Sequence, residues 1–61
     1  MSDQPLPEWR RKEIFLALVE AQDGGVSPAE SRKAVARRFG VSEGQVQQVE
    51  QEGLDKEWPP L

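Results

Sequence analysis

Gly44, Gln47, Gln48 and Gln51 recur at intervals of three, one and three residues. On a 3.6-residue period they share one face, opposite Val46 and Val49. A glutamine amide donates and accepts, so it can bond bidentately to adenine in a DNA major groove. Ser42 opens the segment and can take a phosphate or a base edge. Glu43 and Glu50 flank the face, and a glutamate can accept from cytosine N4. Arg37 and Arg38 stand just upstream, where they would hold phosphates. Arg32 and Lys33 come one turn earlier, and Arg10, Arg11 and Lys12 form a second basic cluster. The same residue types also make an ordinary solvated helix surface. Which of the two they form depends on the elements that carry them.

Other chemistries find no residues to use. The 61-residue chain has no cysteine and no histidine. That excludes a disulfide framework, a thiolate zinc site and an imidazole base or ligand. Ser27 and Ser42 are better explained as helix caps than as nucleophiles. Glu50 and Glu52 are two apart on a helix and face different directions. Gly24-Gly25 is a turn, not a phosphate loop. We therefore expect no enzyme, no cofactor, no metal and no small-molecule substrate. The longest apolar run, Ile14 to Val19, is six residues, against about 20 for a membrane span. The opening MSDQPLPEW lacks the basic-then-apolar order of a secretion signal. A soluble, cytoplasmic protein with no membrane partner is the expectation.

Three helices and no strand are expected to position these groups. The first runs from Pro7 or Glu8 to about Gln22 and ends at Asp23-Gly24-Gly25. Its main apolar face holds Ile14, Phe15, Leu18, Val19 and Ala21, while Trp9 and Leu16 lie off it, seven residues apart. In the second, Ser27 is the N-cap, Pro28 the first helical residue and Glu30 the capping-box partner. Val35, Ala36 and Phe39 face inward there, and Gly40 ends the helix. The third is capped by Ser42 with Gln45 as partner, points Val46 and Val49 inward, and is expected to stop at Gly53 with Leu54 packing back.

The junction between the last two helices meets a set of steric requirements in register. Ala36 is small where two helices must touch. Gly40, four residues on, can turn the chain with positive φ, and Val41 plugs the space under the turn. Val46, five residues further, is β-branched and locks the third helix on the second. The segment resembles the helix-turn-helix superfamily of DNA-binding domains. From about Ala34 to Lys56, AVARRFGVSEGQVQQVEQEGLDK looks most like the promoter-reading C-terminal domain of bacterial sigma factors. That resemblance implies double-stranded DNA as partner and a role in transcription regulation, with the third helix in the major groove. Members of that family usually carry several arginines on the recognition helix. Here those positions hold Glu43, Gly44, Gln45 and Gln47.

The expected fold is all-α: a small three-helix bundle containing a helix-turn-helix, with an extended Pro-rich C-terminal tail. Residues 1–6 are read as a flexible N-terminus, 7–56 as the domain and 57–61 as the tail. Trp58 and Leu61 bracket Pro59 and Pro60, and Trp58 is expected to fold back on the first helix near Leu16 or Trp9.

Net charge is −3, unevenly spread. Residues 10–38 hold seven basic groups against Glu13, Glu20, Asp23 and Glu30. Residues 39–61 hold Lys56 against Glu43, Glu50, Glu52, Asp55 and Glu57. The acidic end favours an alternative: a module that keeps the fold, binds no DNA and engages a basic protein partner. With few positive charges, a DNA-binding copy would need a homodimer or another partner for useful affinity. Gly40 tests the junction itself. Gly40→Val should lower stability by more than about 1 kcal/mol, because a β-branched residue resists positive φ. An unchanged melting temperature would mean that the turn lies elsewhere.

Overall fold

A computed structural model of the protein describes residues 6–60. Helix α1 spans Glu8–Asp23, α2 Pro28–Phe39 and α3 Glu43–Lys56, with no strand among the described residues. Each helix packs on the other two, giving an all-α three-helix bundle. No helix among the described residues is long and apolar enough to cross a membrane. The expected flexible N-terminus lies outside the described residues except for Leu6. That residue packs partly buried on the core, and its carbonyl accepts from Arg11 Nη1.

The helix starts follow local chemistry. The Pro7 carbonyl accepts from the N–H groups of Arg10 and Arg11, both at 3.0 Å. Ser27 Oγ accepts from the Glu30 N–H at 3.3 Å, with Pro28 in the first turn. At α3 the full capping box forms. Ser42 Oγ accepts from the Gln45 N–H at 3.0 Å, and Gln45 Oε1 accepts from the Ser42 N–H at 3.3 Å.

All three helices end in one motif. Gly25, Gly40 and Glu57 adopt left-handed backbone, with φ of 94°, 69° and 53°. The next residue then donates its N–H to a carbonyl five positions back. Val26 bonds Ala21 at 3.1 Å, Val41 bonds Ala36 at 3.0 Å, and Trp58 bonds Gly53 at 3.0 Å. The last of these corrects the sequence reading. The motif was expected at Gly53 and Leu54; it forms one turn later, at Glu57 and Trp58, and α3 continues to Lys56. Leu54 remains 51% exposed rather than packing back. Gly53 has another role. It lies buried against α1, where a Cβ would overlap the Phe15 ring. The absence of a side chain lets the α3 backbone approach that ring.

Phe15 sits at the centre of the core. Ile14, Ala17 and Leu18 flank it on α1, with Val35 and Ala36 from α2 and Val46 and Val49 from α3. Val19, Phe39 and Val41 pack against this group partly buried. Ala17 is the member that the apolar pattern did not single out. Trp58 completes the core at 6% exposure. Its ring meets Phe15 edge-on, with centroids 6.1 Å apart and planes at 81°. Such a pair contributes about 0.5–1.5 kcal/mol beyond the area it buries. Trp58 therefore does pack on the first helix, but on Phe15 and not on Leu16 or Trp9. Those two remain 44% and 64% exposed. Leu61 lies outside the described residues.

Gly53→Ala distinguishes close approach from capping. In an open helix interior the change would stabilise by up to about 1 kcal/mol. Here the methyl group must displace Phe15, so a net loss of about 1–3 kcal/mol is expected in denaturant titrations. A gain in stability would show that Phe15 yields freely.

Candidate nucleic-acid interface

The four turn residues occupy the places their types suit. Ala36 is buried at 6% exposure and Val46 at 0%, a small residue of α2 and a β-branched one of α3 within the shared core. Gly40 carries the left-handed turn, and Val41 lies half-buried beneath it. This junction presents a surface hollow of about 440 Å³. Lys33 and Arg37 line it from α2, Gly40 from the turn, and Ser42 and Glu43 from the start of α3. The hollow thus holds two cations, one carboxylate and the capped end of a helix.

Along α3, Gly44, Gln47, Gln48 and Gln51 are all exposed, as is Glu43. They form an uninterrupted polar strip, turned away from Val46 and Val49. Gln51 is partly committed, since its Nε2 donates to Asp55 Oδ1 at 3.3 Å. Ser42 uses its hydroxyl oxygen to accept from Gln45, leaving the hydroxyl proton as the group it can offer. Arg38 is exposed but does not line the hollow. Its guanidinium lies 5.5 Å from the centroid of Phe39, and Arg10 lies 4.7 Å from the same ring.

The ion pairs sort the basic residues. Arg10 pairs with Glu13 at 3.4 Å, Lys12 with Glu8 at 3.4 Å and Lys56 with Glu52 at 2.9 Å. Arg11 reaches across from α1 to Glu52 at 2.8 Å, and Arg32 from α2 to Glu50 at 3.1 Å. Lys33, Arg37 and Arg38 have no carboxylate partner among the described residues, and all three lie on α2 beside the turn. The Arg10–Lys12 cluster is a paired helix face.

Glu50 departs from expectation. It does not flank the exposed strip but turns toward α1 and α2, accepting from Gln22 Nε2 at 3.2 Å besides its pair with Arg32. Gln22 Nε2 also donates to Ser31 Oγ at 3.1 Å, and Ser31 donates to the Pro28 carbonyl at 2.8 Å. Ser31 is fully buried, so this network satisfies a hydroxyl that would otherwise be costly. Gln22 and Ser31 gave no signal in the sequence, because each is an unremarkable polar residue until three helices converge on it. No buried side-chain polar atom among the described residues lacks a partner.

Glu52 ties the other end of the bundle. The hydrogen bond from Lys56, and then that from Arg11, hold its carboxyl below the usual carboxylate range. No protein-family model, curated protein or solved structure matches the chain.

The sign of the Glu52 effect follows from its lowered pKa. The ionised form is favoured in the folded state, so its contribution is complete above the ordinary carboxylate pKa. It is lost as pH falls through the lower folded value. Glu52→Gln should be less stable than the parent at pH 7, by at most about 1 kcal/mol for groups that keep partial contact with solvent. In melts repeated down to strongly acid pH the two proteins should converge. A gap that stays constant with pH would assign the loss to packing instead.

Proposed function

We propose that the protein binds double-stranded DNA, with α3 in the major groove. The observation that supports this most is the position of the cations that have no carboxylate partner among the described residues. Five of the eight basic side chains are paired with carboxylates. Of the remaining three, Lys33 and Arg37 line the hollow with Ser42 and Glu43 at the start of α3, and Arg38 follows Arg37 in the last turn of α2. Phosphate contacts from α2 would set the register of α3, and Gln47 and Gln48 would reach base edges. Gln51, Gly44 and Glu43 complete the surface offered to the groove. The resemblance of residues 34–56 to the promoter-reading domain of sigma factors supports a role in transcription regulation.

A second reading is favoured by Glu43, which faces the hollow, and by the acidic residues from 39 onward. In it the protein keeps the fold and engages a basic protein partner without touching DNA. Salt dependence separates the two. Three phosphate contacts imply that log K falls by about 2.7 per tenfold rise in salt. Titration of labelled duplexes should give saturable binding with a slope near that value. Arg38→Ala should weaken all duplexes alike and reduce the slope by about one. Gln47→Ala or Gln48→Ala should cost preference between sequences, by roughly 1–3 kcal/mol at the base each reads. Absence of binding at low salt would favour the protein partner, and a uniform loss from the glutamine changes would remove their reading role.

A further inference from the structure

Of Glu43, Gly44, Gln47, Gln48 and Gln51 on the α3 strip, Glu43 alone is acidic, and it stands at the end nearest the cations. It is exposed and shares the hollow with Lys33 and Arg37. Yet among the described residues it forms no ion pair with either. Gln47 lies one turn further on, along the same line of the helix. Gly44, the next residue, has no packing task in the bundle. A Cβ there would meet Ser42 Oγ at 3.8 Å, an ordinary contact, so nothing excludes a side chain. Glycine is a poor helix former, and its place here leaves open space on the strip beside the Glu43 carboxylate.

We propose that Glu43 is a specificity-determining residue of the DNA surface, selecting cytosine at the base pair met by the first turn of α3. The inference rests on the DNA reading above. A carboxylate accepts hydrogen bonds and cannot donate them. In the major groove guanine shows it O6 and N7, and thymine shows O4 and a methyl group, so both set acceptors against its charge. Adenine offers its N6 amino group beside the N7 acceptor, which opposes the second carboxylate oxygen. Cytosine offers its N4 amino group and no acceptor of its own. Cytosine therefore satisfies the group best, adenine comes next, and the other two bases repel it.

The phosphates sharpen the choice. Lys33 and Arg37 would hold the DNA backbone at the same hollow, and a carboxylate near phosphates weakens binding to every duplex. That loss is offset only where an amino group meets Glu43. Repulsion of the wrong site thus does as much as attraction to the right one. The glutamines cannot act this way, because an amide both donates and accepts.

Selection of duplexes from a random pool, with the parent and with Glu43→Gln, tests the proposal. Titration of single-base variants then measures each selected position. The parent site should contain a position where cytosine binds about tenfold tighter than guanine or thymine, the range of one good base contact. Glu43→Gln should reduce that ratio to about twofold or less, because its amide tolerates either kind of base edge. The change should come from tighter binding of the guanine and thymine duplexes, with preferences at other positions unchanged. Glu43→Ala should level the same position, and circular dichroism checks that both variants fold. A parent site with no such position overturns the proposal. So does a Glu43→Gln protein that keeps the cytosine preference, or one that weakens all duplexes alike. A parent that binds no duplex even at low salt is a different result, which removes the DNA reading itself and this inference with it.

Discussion

The bundle depends on a close approach between one ring and one backbone. Phe15 lies against α3 at Gly53, in space that any side chain there would occupy. That contact sets the separation of α1 and α3, and other features follow from it. Because α3 is not obliged to end at its glycine, it runs a further turn to Lys56. The left-handed residue then falls at Glu57, which directs Trp58 onto Phe15. A chain of 61 residues has few large apolar side chains, and this arrangement brings the last aromatic residue into the core.

Polar contacts hold the two ends of the bundle in different ways. At one end Gln22, Ser31, Arg32 and Glu50 link all three helices around a buried hydroxyl. At the other, Arg11 reaches Glu52, which also accepts from Lys56. The effect on the surface is as important as the effect on the fold. Among the described residues, pairing withdraws five of the cations and leaves Lys33, Arg37 and Arg38, all on α2, without a carboxylate partner. A chain with net charge −3 can thereby present a locally basic edge next to a neutral strip of glutamines.

The two sides of the molecule are chemically unlike. The outer side of α3 is polar and carries amides suited to hydrogen-bonded recognition. The outer side of α1 is apolar at its centre. On it Trp9 and Leu16 stand 64% and 44% exposed.

The sequence by itself determined the elements and their starts. Ser27, Pro28, Ser42 and Gln45 act through bonds within four residues, so their meaning is legible locally. The same holds for Gly40, whose left-handed turn serves its own helix end, and for the inward spacing of Val35, Ala36, Val46 and Val49. The exposed strip Gly44, Gln47, Gln48 and Gln51 was legible too, since periodicity alone puts it opposite the valines. Only the tertiary structure decided the rest. Gly53 has the local signature of a helix stop, but a neighbouring helix needed its missing side chain. Glu50 has the spacing of a flanking surface residue, but Arg32 and Gln22 drew it inward. Which arginines remain available likewise depended on carboxylates up to 41 positions away in the chain, as for Arg11 and Glu52. Caps and periodicity are properties of neighbours along the chain, whereas close approach and charge pairing are properties of neighbours in space.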